Sequence, residues 1–183
     1  MKEKLFGKKR KIALIGFMGT GKTTVGKALA RNLNWDFVDL DLEIERRGHM
    51  KIRTVFRKFG EKYFRRKESR ELFRLKNKKN IVVSCGGGII LDEKNRRFLK
   101  RNFFVVLLSA SSKEILKRVS KEKKKRPLLG NGNPLLVIKS IISSRRDFYN
   151  ETKDLEVRTT KKKPKEIAKE IMINFRSFAS ACN

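Results

Sequence analysis

Apolar and polar positions follow two rhythms along this chain. Lys11-Ile12-Ala13-Leu14-Ile15 is a short, nearly continuous apolar run, and Val25, Leu29 and Leu33 follow it at helical spacing. The couplet recurs: Asp36 to Leu40, Asn80 to Ser84, Phe103 to Leu108 and Leu155 to Arg158 read as further strands. Helices are expected over 22–33, 42–58, 61–77, 92–100, 112–120, 134–150 and 164–176. Pro164 falls at a first-turn position, where proline is tolerated. Strands alternating with helices predict an α/β fold with a mainly parallel sheet. Residues 121–134, closing on Gly130-Asn131-Gly132-Asn133-Pro134, have no periodic core face and are expected to form a mobile lid. No repeat or linker divides the rest, so the 183 residues are expected to form one domain.

Charge changes the picture of what such a domain meets. Against 19 Asp+Glu stand 48 Lys+Arg, a net charge of +29 that attracts nucleic acid and anionic surfaces without specificity. It equally suits a small anion such as a nucleotide. The basic residues are spread along the chain, densest at Lys121 to Arg126 and Lys161 to Lys163, and no base-reading module is visible. Small-molecule partners are therefore expected, with no specific nucleic acid. No apolar run has membrane-spanning length, and Met1 to Arg10 lacks the apolar stretch of a secretory signal. Cys85, Cys182 and the single His49 show no metal-ligand spacing. The expectation is a reduced, cytoplasmic, monomeric enzyme without structural zinc.

The chemistry begins after the first strand. Gly16-Phe17-Met18-Gly19-Thr20-Gly21-Lys22-Thr23 fits the phosphate-binding loop G-x-x-x-x-G-K-[ST] at every fixed position, between a strand and a helix. Glycines let backbone N–H groups close around phosphates, Lys22 reaches the outer phosphates, and the Thr23 hydroxyl suits Mg²⁺. Asp39 and Asp41 lie two apart at the carboxyl end of the second strand, the edge where ligands bind in open α/β sheets. They read either as helix caps or as groups that support Mg²⁺ and bind an acceptor hydroxyl. The third strand runs into Gly86-Gly87-Gly88 instead of the aspartate usual in generic ATPases and GTPases. Ile138, Ile141, Ile142, Arg145 and Tyr149 share one helical stripe, which puts Arg145 on an apolar face and calls for an anion such as a planar carboxylate. Arg65 is similar, with Glu61 and Glu68 as structural partners at helical spacing. Arg126, before Pro127-Leu128-Leu129, could arrive on lid closure and neutralise charge on a transferring phosphoryl group.

Taken in order, these segments give the chain a family likeness. Gly16 to Thr24, Asp39-x-Asp41-x-x-Ile44-Glu45, Phe56, Gly60-Glu61-x-x-Phe64-Arg65-x-x-Glu68, Gly86-Gly87-Gly88, Arg126-Pro127-Leu128-Leu129 and Arg145-x-x-x-Tyr149 together resemble shikimate kinase, from the phosphate loop to the last strand. The resemblance implies a P-loop, nucleoside-monophosphate-kinase-like fold with a five-stranded parallel sheet in order 2-3-1-4-5, flanked by helices. It implies transfer of the γ-phosphoryl of ATP to the 3-hydroxyl of shikimate, in aromatic amino-acid biosynthesis. It also implies roles: Gly19, Thr20, Gly21, Lys22, Thr23 and Thr24 at the nucleotide phosphates, Thr23 and Asp39 at Mg²⁺, and Asp41 at the acceptor hydroxyl. Arg65, Arg145 and the Gly87 N–H would hold shikimate, Arg126 would be the lid arginine, and Lys162 would lie on the adenine side. Two departures stand out: a glycine placed one position early, at Gly48, and Lys51 where a small hydroxyl residue is common. Another small-molecule kinase, for gluconate or a nucleotide, and a nucleic-acid-binding ATPase are the rival readings.

Overall fold

Ile12, Ala13, Leu14 and Ile15 of strand β1 (Lys11–Ile15) have no exposed surface, as the central strand of a parallel sheet covered on both faces requires. The computed structural model describes residues 10–120 and 133–180. Around β1 stand β2 (Asp36–Asp39), β3 (Ile81–Ser84), β4 (Phe104–Ser109) and β5 (Leu155–Arg158), all parallel, in the order β2-β3-β1-β4-β5. The expected fold class holds.

Strand side chains alternate between faces, and two cores follow from that. Ile12 and Leu14 pack with Val25 and Leu29 of α1 (Lys22–Leu33) and Ile167, Ile171 and Phe175 of α8 (Pro164–Ser180). Ala13 and Ile15 face Leu72 of α3 (Ile52–Arg74), Leu99 of α4 (Glu93–Asn102) and Tyr149 of α7 (Arg146–Thr152). A smaller cluster joins Phe17 to Ile115 and Val119 of α5 (Ser112–Ser120) and Ile138 of α6 (Pro134–Ser144). Another joins Ile44 of α2 (Leu40–Gly48) to Val55 and Phe64.

Three helix expectations are corrected. The helix expected over 42–58 begins at Leu40 and stops at Gly48, where His49 takes a left-handed conformation with φ of 46°. The one expected over 61–77 is the second part of α3 and ends at Arg74; residues 52–59 lead into it across a break at Gly60, whose φ of 75° and ψ of 174° are not helical. The helix over 134–150 breaks at Arg145 into α6 and α7. Periodicity carries through the joints at Gly60 and Arg145, because a break of one residue barely disturbs which side chains face the core; between α2 and α3 three residues, 49–51, intervene. Lys51 offers α3 no side-chain cap; Glu45 does that work, accepting from the Ile52 N–H at 3.0 Å and pairing with Lys51 at 2.8 Å.

Register places the site. Ser84 is level with Asp39 on one side and Leu14 on the other, so the turns after β1, β2 and β3 leave the same carboxyl edge side by side. Among the described residues no helix is long and apolar enough to cross a membrane.

Candidate active site

At the end of β1 the backbone turns sharply into α1 through Gly21, left-handed with φ of 93°, and no side chain caps the helix. The N–H groups of the first turn are thus left for an anion, at the end where the helix dipole favours negative charge. Lys22 is buried beneath this loop, its Nζ donating to the carbonyls of Gly16 at 2.8 Å and Phe17 at 2.9 Å. Thr20 is buried and locks the loop by donating to Phe17 O at 2.8 Å, whereas Thr24 is exposed on the first helical turn.

Thr23 Oγ1 donates to Asp39 Oδ2 at 2.7 Å, and Asp39 Oδ1 accepts from the Asp41 N–H at 3.2 Å. Asp39 is therefore both the cap of α2 and the hydrogen-bond partner of the loop threonine. Among the described residues no cluster of three His, Cys, Asp or Glu side chains forms a metal cage. A hydroxyl paired with one carboxylate beside a phosphate loop suits Mg²⁺, which keeps its water and shares phosphate oxygens.

Asp41 is not on the strand as expected but in the first turn of α2, since β2 ends at Asp39. It still points into the crevice. Its Oδ1 is buried with no hydrogen-bond partner among the described residues, and so is Oε1 of Glu68, which has no exposed surface. Both oxygens crowd Gly86: a Cβ there would lie 2.1 Å from Glu68 Oε1 and 3.1 Å from Asp41 Oδ1. Arg65 closes against Gly88 in the same way, at 2.5 Å from a would-be Cβ. The glycine run thus exists so that three charged side chains can reach the backbone.

Arg65 pairs with Glu68 at 2.7 Å and Glu61 at 2.9 Å, the partners foreseen for it. Burial raises the Glu68 carboxyl to about 7, more than the adjacent Arg65 charge lowers it. Burial also raises Asp41, with Asp39 adding to the shift and Lys22 and Arg65 opposing it. Arg145, half-buried at the break between α6 and α7, donates to Gly87 O at 3.0 Å, and Tyr149 Oη donates to the same oxygen at 2.9 Å. Gly87 was expected to act through its N–H; its carbonyl is what fixes Arg145. Lys22, Asp41, Arg65, Gly87 and Arg145 are brought together.

On the other side of the loop stands a residue that sequence reasoning missed. Arg118 donates to Gly19 O at 3.2 Å and to Thr159 O at 3.1 Å, joining the phosphate loop to the turn after β5. Its signal was too faint, one arginine among the 48 Lys+Arg of the chain. Lys162 turns outward and pairs with Glu170 of α8 at 2.6 Å. Arg126, Cys182 and positions 121–132 of the expected lid lie outside the described residues.

A strand-loop-helix phosphate site on a 2-3-1-4-5 sheet, with an acidic and cationic pocket beside it, defines a P-loop kinase that acts on a small acceptor. The sequence profile described as Shikimate kinase matches residues 18–176. A shikimate kinase of Hahella chejuensis is 39% identical over 169 residues, covering 92% of this chain and 88% of that protein. The solved shikimate kinase of Acinetobacter baumannii in complex with shikimate superposes with a TM-score of 0.88 at 36% identity, covering 96% of this chain and 97% of that one. A gluconokinase of Sinorhizobium meliloti, at 18% identity and a TM-score of 0.63 over 94% of this chain and 95% of its own, shares the fold alone. The chain belongs to the shikimate kinase family, and it is a kinase of that family.

Proposed function

We propose that Asp41, Arg65, Gly87 and Arg145 form the acceptor site for the reaction of this family, transfer of the γ-phosphoryl group of ATP to the 3-hydroxyl of shikimate. The buried Oδ1 of Asp41, without a hydrogen-bond partner among the described residues, beside the phosphate loop and across Gly86 from the two arginines, carries this reading. A hydroxyl is the neutral donor such an oxygen lacks. Asp41 accepts that hydrogen bond and orients the oxygen for attack. Its raised pKa makes it a better base than a free carboxylate as the new P–O bond forms.

The arginines take the acceptor's carboxylate. Arg145 holds Gly87 O through Nη1, and Arg65 is braced by Glu61 and Glu68, yet both keep N–H donors for a planar anion. Neither side chain must be ordered at the moment of binding, which lowers the entropic cost. Lys22 exchanges its carbonyl partners for phosphate oxygens and, with the loop N–H groups, steadies charge on the transferring group. Thr23 and Asp39 would hold Mg²⁺, which neutralises charge on the phosphates when bound. The same reading makes the chain a cytoplasmic monomer, for which gel filtration should return a mass near the 21.4 kDa of one chain.

An ADP-release assay with shikimate, gluconate and nucleoside monophosphates tests the acceptor. Rapid release is expected with shikimate alone, and Asp41→Asn should abolish it while nucleotide affinity stays within about twofold. Comparable release with gluconate, or normal turnover by Asp41→Asn, would overturn the assignment.

A further inference from the structure

Beside the site, the outer face of α3 carries a row of cations that outnumber the carboxylates near them. Lys62, Arg66, Arg70 and Arg74 recur every fourth residue, each exposed, so they stand one above another on one face. Like charges at that spacing destabilise a helix. Arg74 has Glu71 at 3.1 Å, but among the described residues no carboxylate pairs with Lys62, Arg66 or Arg70. The row borders an open groove of about 720 Å³ whose lining also includes Phe73, Lys94 of α4, one carboxylate, Asp92, and Arg65 at its edge toward the acceptor site. Phe73 is 37% exposed, and its ring packs edge-to-face with Phe98, centroids 4.9 Å apart.

The dimensions select the ligand. Three helical turns separate Lys62 from Arg74, roughly 18 Å, more than a single phosphate or carboxylate spans. Successive cations are about 6 Å apart, comparable to successive phosphates along an extended strand. An exposed ring among such cations offers an unpaired base a stacking partner. A membrane surface would ask instead for a continuous apolar face, and here the cations line a concavity.

We propose that the groove between α3 and α4 binds single-stranded RNA without sequence preference, phosphates on the Lys62–Arg66–Arg70–Arg74 row and a base against Phe73. Arg65 of the acceptor site also lines this groove, but Lys62, Arg66, Arg70, Arg74 and Phe73 do not belong to the acceptor or nucleotide site, so variants at these five can separate strand binding from kinase turnover.

The test is fluorescence anisotropy of a labelled oligouridine of about 20 nucleotides titrated with the full chain over a range of salt. The variant Lys62→Gln/Arg66→Gln/Arg70→Gln is compared with a control of equal charge on α8, Lys165→Gln/Lys169→Gln/Arg176→Gln. The groove variant should weaken binding at least tenfold more than the control and flatten the salt slope by about 2. Phe73→Ala should weaken oligouridine several-fold but leave heparin, a polyanion without bases, unaffected. Kinase turnover should be unchanged in all of them. Equal losses in the two triple variants would show that net charge alone acts, and would overturn the proposal. So would equal loss of heparin binding in Phe73→Ala, or displacement of the strand by phosphatidylserine–phosphatidylcholine vesicles.

Discussion

Glu68 has no exposed surface, one oxygen on Arg65 at 2.7 Å and the other, beside Gly86, without a partner among the described residues. Folding therefore raises its pKa from 4.5 to about 7, with burial as the main cause. Between those values the folded chain holds more protons than the unfolded one, so stability falls as pH rises through that window. The stabilisation is complete below pH 4.5 and gone above about 7. Asp41 shifts in the same direction. Unfolding free energies from urea titrations between pH 4.5 and 7.5 should fall with pH in the parent chain, by about 3 kcal/mol in total, and much less in Glu68→Gln. Equal slopes would mean Glu68 is ionised throughout. Glu68 was visible in the sequence only as a partner for Arg65, because helical spacing gives the pair but not the burial. That burial comes from Gly86, which reaches Glu68 through a turn on another strand.

Elements show the same division between local and distant information. The loop from Gly16 to Thr23 was legible because its fixed positions encode backbone shape and bind through backbone. The joints between helices were not. His49 ends α2 at φ of 46°, a conformation that costs an L-residue, and nothing in its side chain marks it as a cap. Residues on both sides keep their apolar period, so one long helix looked continuous. His49→Gly should stabilise the chain by about 0.5–1 kcal/mol, read as a higher urea midpoint with unchanged slope. A lower midpoint would show that the imidazole contributes something the backbone does not. Arg145 repeats the lesson with more consequence. Its place on the stripe from Ile138 to Tyr149 correctly turned it inward. The reason lies in the break itself, where φ of −105° and ψ of −1° swing its guanidinium to Gly87 O.

The whole molecule carries +29, and its charges are spread along the chain, on every helix α1 to α8 though not on β3 or β4. Self-repulsion among them should weaken the fold at low ionic strength, where screening extends to about 30 Å, and relax near 0.15 M, where it falls to about 8 Å. The melting temperature should therefore rise by several degrees between 10 and 150 mM NaCl; a flat profile would show the surface charges already balanced by local pairing. Sheet order, not any single segment, assembles the pocket. Asp41 from the turn after β2, Gly87 after β3 and Arg145 before β5 meet only because β2, β3 and β1 lie in that order. That convergence is most directly tested by titrating shikimate calorimetrically into Arg145→Met, with ATP affinity measured alongside. Loss of a desolvated charge pair should weaken shikimate by roughly 2–5 kcal/mol while ATP binds as before. Unaltered shikimate affinity would contradict the pocket described here.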